Sequence, residues 1–400
     1  MSFEREGRPI AVTGIGVITP LADTRAALAQ ALCAGETRIA DLDGAGHAGS
    51  RLGEVDTRKY ANVRGMRVYP RNTQLQICAA TLALGDAGLE ASALDPLRLG
   101  TITASTYAHV ETLLEYDRNL VTVGIQRTNP TLFPLSLPSA PGALTALSLV
   151  AKAFAITVSD GDGSGVAALA LGARMLAQGR ADVCVVTSAF TDCAELSLSA
   201  ARAGMLATRA RHGVFDRRSG GTVFGELAVA LVLEPAARAE ARGKAPLGYV
   251  GGHGAAFAPE ATQGAAALKR AASQALEATG LAAKALTLVA SGASGLVARD
   301  DAEARALHDV LGDARGEVAV TAPKSLLGES LDASGLIEVV VALEALHAGV
   351  APPIAGLGEP GVGGLRYLTR ATEVKAGGAA LITSMSHTGA CAALTVTGSP

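Results

Sequence analysis

The chain repeats a short theme in its two halves, and this echo constrains its fold more than any single motif. PIAVTGIGVITPLADTRAALAQAL, near the start, has a counterpart in LTLVASGASGLVARDDAEARALHDVL, Leu286 to Leu311. ADVCVVTSAF (Ala181 to Phe190) followed by ELAVALVLE (Glu226 to Glu234) is matched by GGAALITSMSHTG followed by AALTVTG near the C-terminus. Each half therefore reads as strand–helix units that close with neighbouring strands, the pattern of mixed α/β architecture. VTGIGVI, CVVTSA and LITSM are nearly continuous apolar runs, as expected of strands covered by helices on both faces. Duplicated α/β halves of this kind can stack as helix, sheet, helix, sheet, helix. We place their junction near Gly248 to Gly252, giving halves 1–248 and 249–400 of one compact body.

With 49% apolar and 18% charged residues, there is ample material for a large core, built from small side chains because aromatics are only 3%. The net charge of −3 gives no reason to expect nucleic acid or an anionic membrane as partner. Cys33, Cys78, Cys184, Cys193 and Cys391 are scattered without a CxxC pair, so no disulfide framework is expected. The start, MSFEREGRPIAV, is charged and runs into a strand, unlike a signal peptide. The uncharged stretch Pro130 to Ala151 carries Pro130, Pro134, Pro138 and Pro141, so it reads as a buried loop leading into a helix, not a membrane span. A soluble cytoplasmic protein is expected.

ITVSDGDGSGVAALAL, Ile156 to Leu171, places an acidic, glycine-dense turn between a strand and a helix. Three readings are open. Asp160 to Gly165 matches the opening of an EF-hand loop, but the twelfth position, which needs a bidentate acid, is Leu171. Gly163 to Ala168 fits a loose GxGxxA, yet Asp182 begins the next strand where a ribose-binding acid should end it, and two aspartates at a helix mouth repel phosphate. The third reading is structural: aspartate and serine cap helices, and glycines permit tight turns.

The remaining blocks bear on that choice. VTGIGVITPLA (Val12 to Ala22), FDRRSGGTVFGELAVALVLE (Phe215 to Glu234) and APKSLLGESLDASGLIEVVVALEALHAGVAPP (Ala322 to Pro353) resemble, in order, three blocks of the β-ketoacyl synthases, over about Pro9 to Val396. The resemblance implies the thiolase-like duplicated five-layer αβαβα fold. It also implies where the catalytic groups of such an enzyme would lie. The nucleophilic cysteine of a D-T-A-C-S-S motif falls on Asp162, and the histidine of A-H-G-T-G-T on Ser291. The histidine of K-S-x-x-G-H falls on Glu329, with Lys324 retained, and the phenylalanine of the oxyanion loop G-F-G-G on His387. No catalytic element is intact, and the acidic turn reads as a rebuilt nucleophile elbow that need hold no ion. An acyl group on Asp162 would be an anhydride open to hydrolysis, and His387 has no cysteine to activate. Cys184, Cys193 and Cys391 read as small core residues, and His253 as part of a turn after a strand. If Asp162 and Glu329 lie close in a closed cavity, they could share a proton.

A ketosynthase-like chain without nucleophile or histidines most resembles a chain length factor, the β subunit of type II polyketide systems. The resemblance implies a non-catalytic subunit that pairs with an active ketosynthase and shapes its acyl-chain tunnel. It would need no cofactor, since substrates arrive on the phosphopantetheine arm of an acyl carrier protein. Two alternatives stay open: a divergent decarboxylase, acyltransferase or hydrolase that uses the altered site, and a homodimeric carrier-protein-binding scaffold.

Overall fold

In a computed structural model describing residues 9–42, 46–210 and 213–399, the apolar runs become the strands of one mixed sheet. In chain order these are β1 (Ile10–Ile18), β2 (Leu99–Ala104), β3 (Phe154–Val158), β4 (Val183–Phe190), β5 (Leu227–Pro235) and β6 (Gly248–Phe257). The second half adds β7 (Leu286–Ala290), β8 (Ala319–Thr321), β9 (Arg366–Tyr367), β10 (Ala379–Met385) and β11 (Ala390–Gly398). Their spatial order is β9-β8-β7-β10-β11-β6-β1-β5-β4-β2-β3. Every residue of β1, β4 and β10 is buried, which is why these strands show no alternation of apolar and polar residues.

The two halves meet where β1 pairs antiparallel with β6, Ile10 opposite Val250 and Val12 opposite Gly248. Counting outward from that seam, β5 and β4 on one side answer to β11 and β10 on the other, each an antiparallel pair. The second echo in the sequence is therefore a true structural repeat. The first is displaced: β7 occupies the place of β2, and the counterpart of β1 is β6. A shared strand–glycine–helix pattern marks the local unit but not its position in the sheet.

Five helices complete the layers: α1 (Arg71–Asp86), α2 (Ala140–Leu149), α3 (Ser164–Ala177), α4 (Gly264–Thr279) and α5 (Ser334–Ala348). α1 packs on β1, β4 and β5, and α4 on β6 and β11, forming the outer layers. Between the sheet halves lie α3 and α5, both apolar on nearly every face; α5 is buried from Ser334 to Leu346. They cross closely because glycines stand at the contact. A Cβ on Gly165 would lie 2.9 Å from the Leu336 amide nitrogen, and one on Gly335 would lie 2.8 Å from that of Val166. Two expectations are corrected here. His253 lies within β6, not in a turn, and burial pulls its imidazole down to about 4. The Pro130 to Ala151 segment is only half buried. α2 covers β2 and β3 with Ala140, Thr145 and Ala146, while Phe133, Leu137, Leu147 and Val150 face outward. Among the described residues, no helix is long and apolar enough to cross a membrane.

Candidate functional site

β2 and β3 run parallel to each other, as do β7, β8 and β10, and the segments that follow β3, β7 and β10 carry the site. After β3 the chain turns through Gly161, at φ +61°, a left-handed conformation natural to glycine; a Cβ there would collide with Ser386 Oγ. The turn delivers Asp162 to the mouth of α3. It is not a helix cap: Gly163 takes the cap position with no side-chain bond, and Ser164 Oγ accepts from the Asp160 amide instead. Asp162 is almost completely buried, at 1% exposure.

Its carboxylate is occupied on both oxygens. Oδ1 lies 3.1 Å from His387 Nδ1, on the loop after β10, and Oδ2 accepts from Arg299 Nη2 at 3.1 Å. The His387 backbone amide also points at Oδ2, at 3.4 Å. Burial alone would raise this carboxyl; the His387 hydrogen bond and the Arg299 guanidinium outweigh it and hold the group at about 2. Arg299 sits in the first turn of α6 (Val297–Leu311), where the helix dipole disfavours a cation, so Asp162 and the Met385 carbonyl are what hold it there. On its far side His387 Nε2 meets the Tyr107 hydroxyl at 2.8 Å. Tyr107 follows β2, and its loop is fixed by Asp332, whose Oδ2 accepts from the Thr106 and Tyr107 amides at 2.7 Å each.

The other sequence-predicted positions form separate networks. Ser291 donates to Glu303 at 2.5 Å, and Thr383 donates to the same oxygen at 2.6 Å. Lys324, buried, donates to Glu329 at 2.9 Å and to the Gly292 carbonyl at 2.8 Å, with Glu338 at 3.5 Å. Glu329 also accepts from the Leu331 amide and Ser334 Oγ. Asp162 and Glu329 therefore each have their own cation, and the expectation of a shared proton is corrected. Asp162, Glu329, His387, Arg299 and Tyr107 line one cavity of about 210 Å³, with Leu196, Met205, Phe224 and Leu331 on its apolar side. Cys184 and Cys391 are buried, and burial raises both thiols, Cys391 to about 11, against thiolate formation. Sequence reasoning missed Arg299 and Tyr107. The one signal for Arg299 was a cation in the first turn of its helix, directly before Asp300 and Asp301; Tyr107 gave none.

These buried groups set the pH dependence of stability. Burial pushes Asp300 and Asp332 up to about 6, from an ordinary 3.8, and raises Glu303 and Glu338 as well. A carboxyl raised by folding favours the folded state at low pH, and that benefit is lost as pH rises from about 3.8 through 6. Asp162 has the opposite sign, contributing above 3.8 and losing its contribution as pH falls toward 2. Each strongly raised carboxyl thus costs on the order of 2–3 kcal/mol as pH rises through its window. His253, lowered by burial, works the other way between about pH 4 and 6.5. With four raised carboxyls against it, stability is expected to be highest near pH 4 and to fall toward pH 7.5. Urea midpoints at pH 5 and 7.5 measure this, and Asp332→Asn should flatten the slope. A midpoint equal or higher at pH 7.5 would refute it.

The comparisons agree with this architecture. The family model described as Beta-ketoacyl synthase, N-terminal domain, matches residues 7–239, and that described as Beta-ketoacyl synthase, C-terminal domain, matches 248–357. The tetracenomycin polyketide synthase ketoacyl synthase alpha subunit of Streptomyces glaucescens is 30% identical over 379 residues, covering 88% of each chain. The beta subunit of the same system is 30% identical over 374 residues, 89% of this chain and 90% of the relative. Among solved structures, the ishigamide ketosynthase/chain length factor superposes with a TM-score of 0.88 at 23% identity, over 98% of this chain and 99% of that one.

Proposed function

The chain belongs to the β-ketoacyl synthase family, and from that premise we propose that it is the non-condensing partner, a chain length factor, in type II polyketide biosynthesis. The α and β relatives match it equally well, so the choice between them rests on the site. What carries the reading is the elbow. The position that resemblance assigns to the nucleophile holds a buried carboxylate clamped by Arg299 and His387. The same carboxylate receives the His387 amide, the donor that resemblance assigns to the oxyanion hole, so the site carries a built-in negative charge where one would have to develop. Ser291 and Glu329, in the histidine positions, are committed to Glu303 and Lys324 and offer no neutral imidazole donor to an enolate.

A partner surface supports the reading. Val121, Ile125, Phe133, Leu137 and Leu147 are exposed, Val121 at 86% and Leu147 at 71%, and the Tyr116 and Phe133 rings join the helix of residues 110–123 to that of 132–135. β3, beside them, ends the sheet with one edge unpaired among the described residues. Apolar patches and open strand edges of this kind call for a partner. The proposed partners are an active ketosynthase and, through it, an acyl carrier protein. Native mass spectrometry of the chain co-expressed with a ketosynthase encoded beside it tests this. A one-to-one complex is expected, and a stable homodimer indifferent to that ketosynthase would overturn the proposal.

A further inference from the structure

Pairing with a ketosynthase leaves one feature of the cavity unused. Tyr107 Oη, His387 and Asp162 form a continuous hydrogen-bonded chain, 2.8 Å and 3.1 Å between successive members. Because the Asp162 carboxylate takes the Nδ1–H, the neutral imidazole must present its Nε2 lone pair to the tyrosine hydroxyl. Asp162 is buried and ion-paired, whereas the His387 ring stands at the rim with 37% of its side chain exposed. Tyr107 lines the cavity together with Leu196, Met205 and Phe224. A hydroxyl, an imidazole in a fixed tautomer and a carboxylate in that order are the parts of an acyl-transfer triad, with a phenol in the place of serine.

We propose that Tyr107 and His387, oriented by Asp162, hydrolyse short-chain acyl thioesters, an activity separate from condensation and independent of any partner. Tyr107 Oη attacks the thioester carbonyl and its proton passes to His387 Nε2. The carbon–sulfur bond breaks, and the departing sulfur takes that proton to leave as a thiol. Water then attacks the acyl-tyrosine ester, giving its proton to His387, and the phenol leaves and recovers it. The sum is thioester plus water giving carboxylic acid plus thiol. Because His387 returns a proton to the departing oxygen, Tyr107 leaves as a neutral phenol and the intermediate does not trap the acyl chain. Tyr107 is held as a phenol, because burial and the Asp162 charge raise it, so its proton leaves only towards His387. The cavity of about 210 Å³ limits the acyl group to a short chain.

Asp162 is a positioning residue and His387 the base, which fixes the pH dependence. The charged or titratable groups facing His387 are Asp162, Arg299, Tyr107 and Glu329. The hydrogen bond to Asp162 raises the imidazole above its ordinary 6.5, and below that raised value it is protonated and cannot accept. Hydrolysis should therefore increase with pH through a limb above 6.5.

The full-length chain, purified alone, is assayed with the N-acetylcysteamine thioester of butyrate and with p-nitrophenyl butyrate. Turnover to butyrate is expected, with Tyr107→Phe lowering kcat/KM at least about a hundredfold at unchanged thermal midpoint. His387→Gln should give a similar loss, and Asp162→Asn should move the pH limb to lower values. Acid release no faster than in buffer, or a Tyr107→Phe protein as active as the parent, overturns the proposal. Either result leaves the pairing with a ketosynthase, read by mass spectrometry, untouched.

Discussion

Lys324→Met is expected to destabilise the fold by about 3–5 kcal/mol at neutral pH, the range for removing one partner of a buried ion pair. Lys324 is 2% exposed and faces Glu329 and Glu338, which are 3% and 0% exposed. Burial alone would pull its ammonium down, but the two carboxylates carry it well above the usual lysine range. Burial raises Glu338 well above an ordinary glutamate, and Glu329, at 2.9 Å against 3.5 Å, is the nearer carboxylate to the ammonium. Without the lysine, that carboxylate keeps only the Leu331 amide and the Ser334 hydroxyl. The double variant Lys324→Met with Glu329→Gln should recover most of the loss, since no uncompensated charge remains. Urea denaturation of the four proteins of this cycle gives the coupling directly. A single-variant loss under 1 kcal/mol, or a double variant no better than the single, would show that the pair is not a neutralised unit.

The second large effect concerns the partner surface. Phe133→Asp combined with Leu147→Asp should weaken the complex with a ketosynthase at least a hundredfold, about 2.7 kcal/mol of binding. These side chains are 53% and 71% exposed, so charging them costs the isolated chain little, and its thermal midpoint should hold within a few degrees. In a desolvated interface the same carboxylates would be buried without partners. Val68, 68% exposed on a separate short turn, supplies the control, and Val68→Asp should leave the complex intact. Equal binding by the double variant would place the interface elsewhere.

The sequence alone determined the strands and the repeat of the β4–β5 pair, because a strand covered on both faces must be apolar at every position, and that is written locally. By resemblance it also marked Asp162, Ser291, Glu329 and His387 as altered, since each lies within a short block. It did not determine which strand answers to which: the β1 and β7 segments look alike, yet they take different places counting from the seam. Nor did it show that Pro130 to Ala151 has an outward apolar face, because an uncharged run reads the same whether a core or a partner covers it. Tertiary structure alone decided what Asp162 does. Its cation lies 137 residues away on α6, and the tyrosine beyond His387 lies 280 residues from it, so no local pattern links them. A buried carboxylate must be compensated, and the sequence states that requirement; only the packing of the two halves says by which residues.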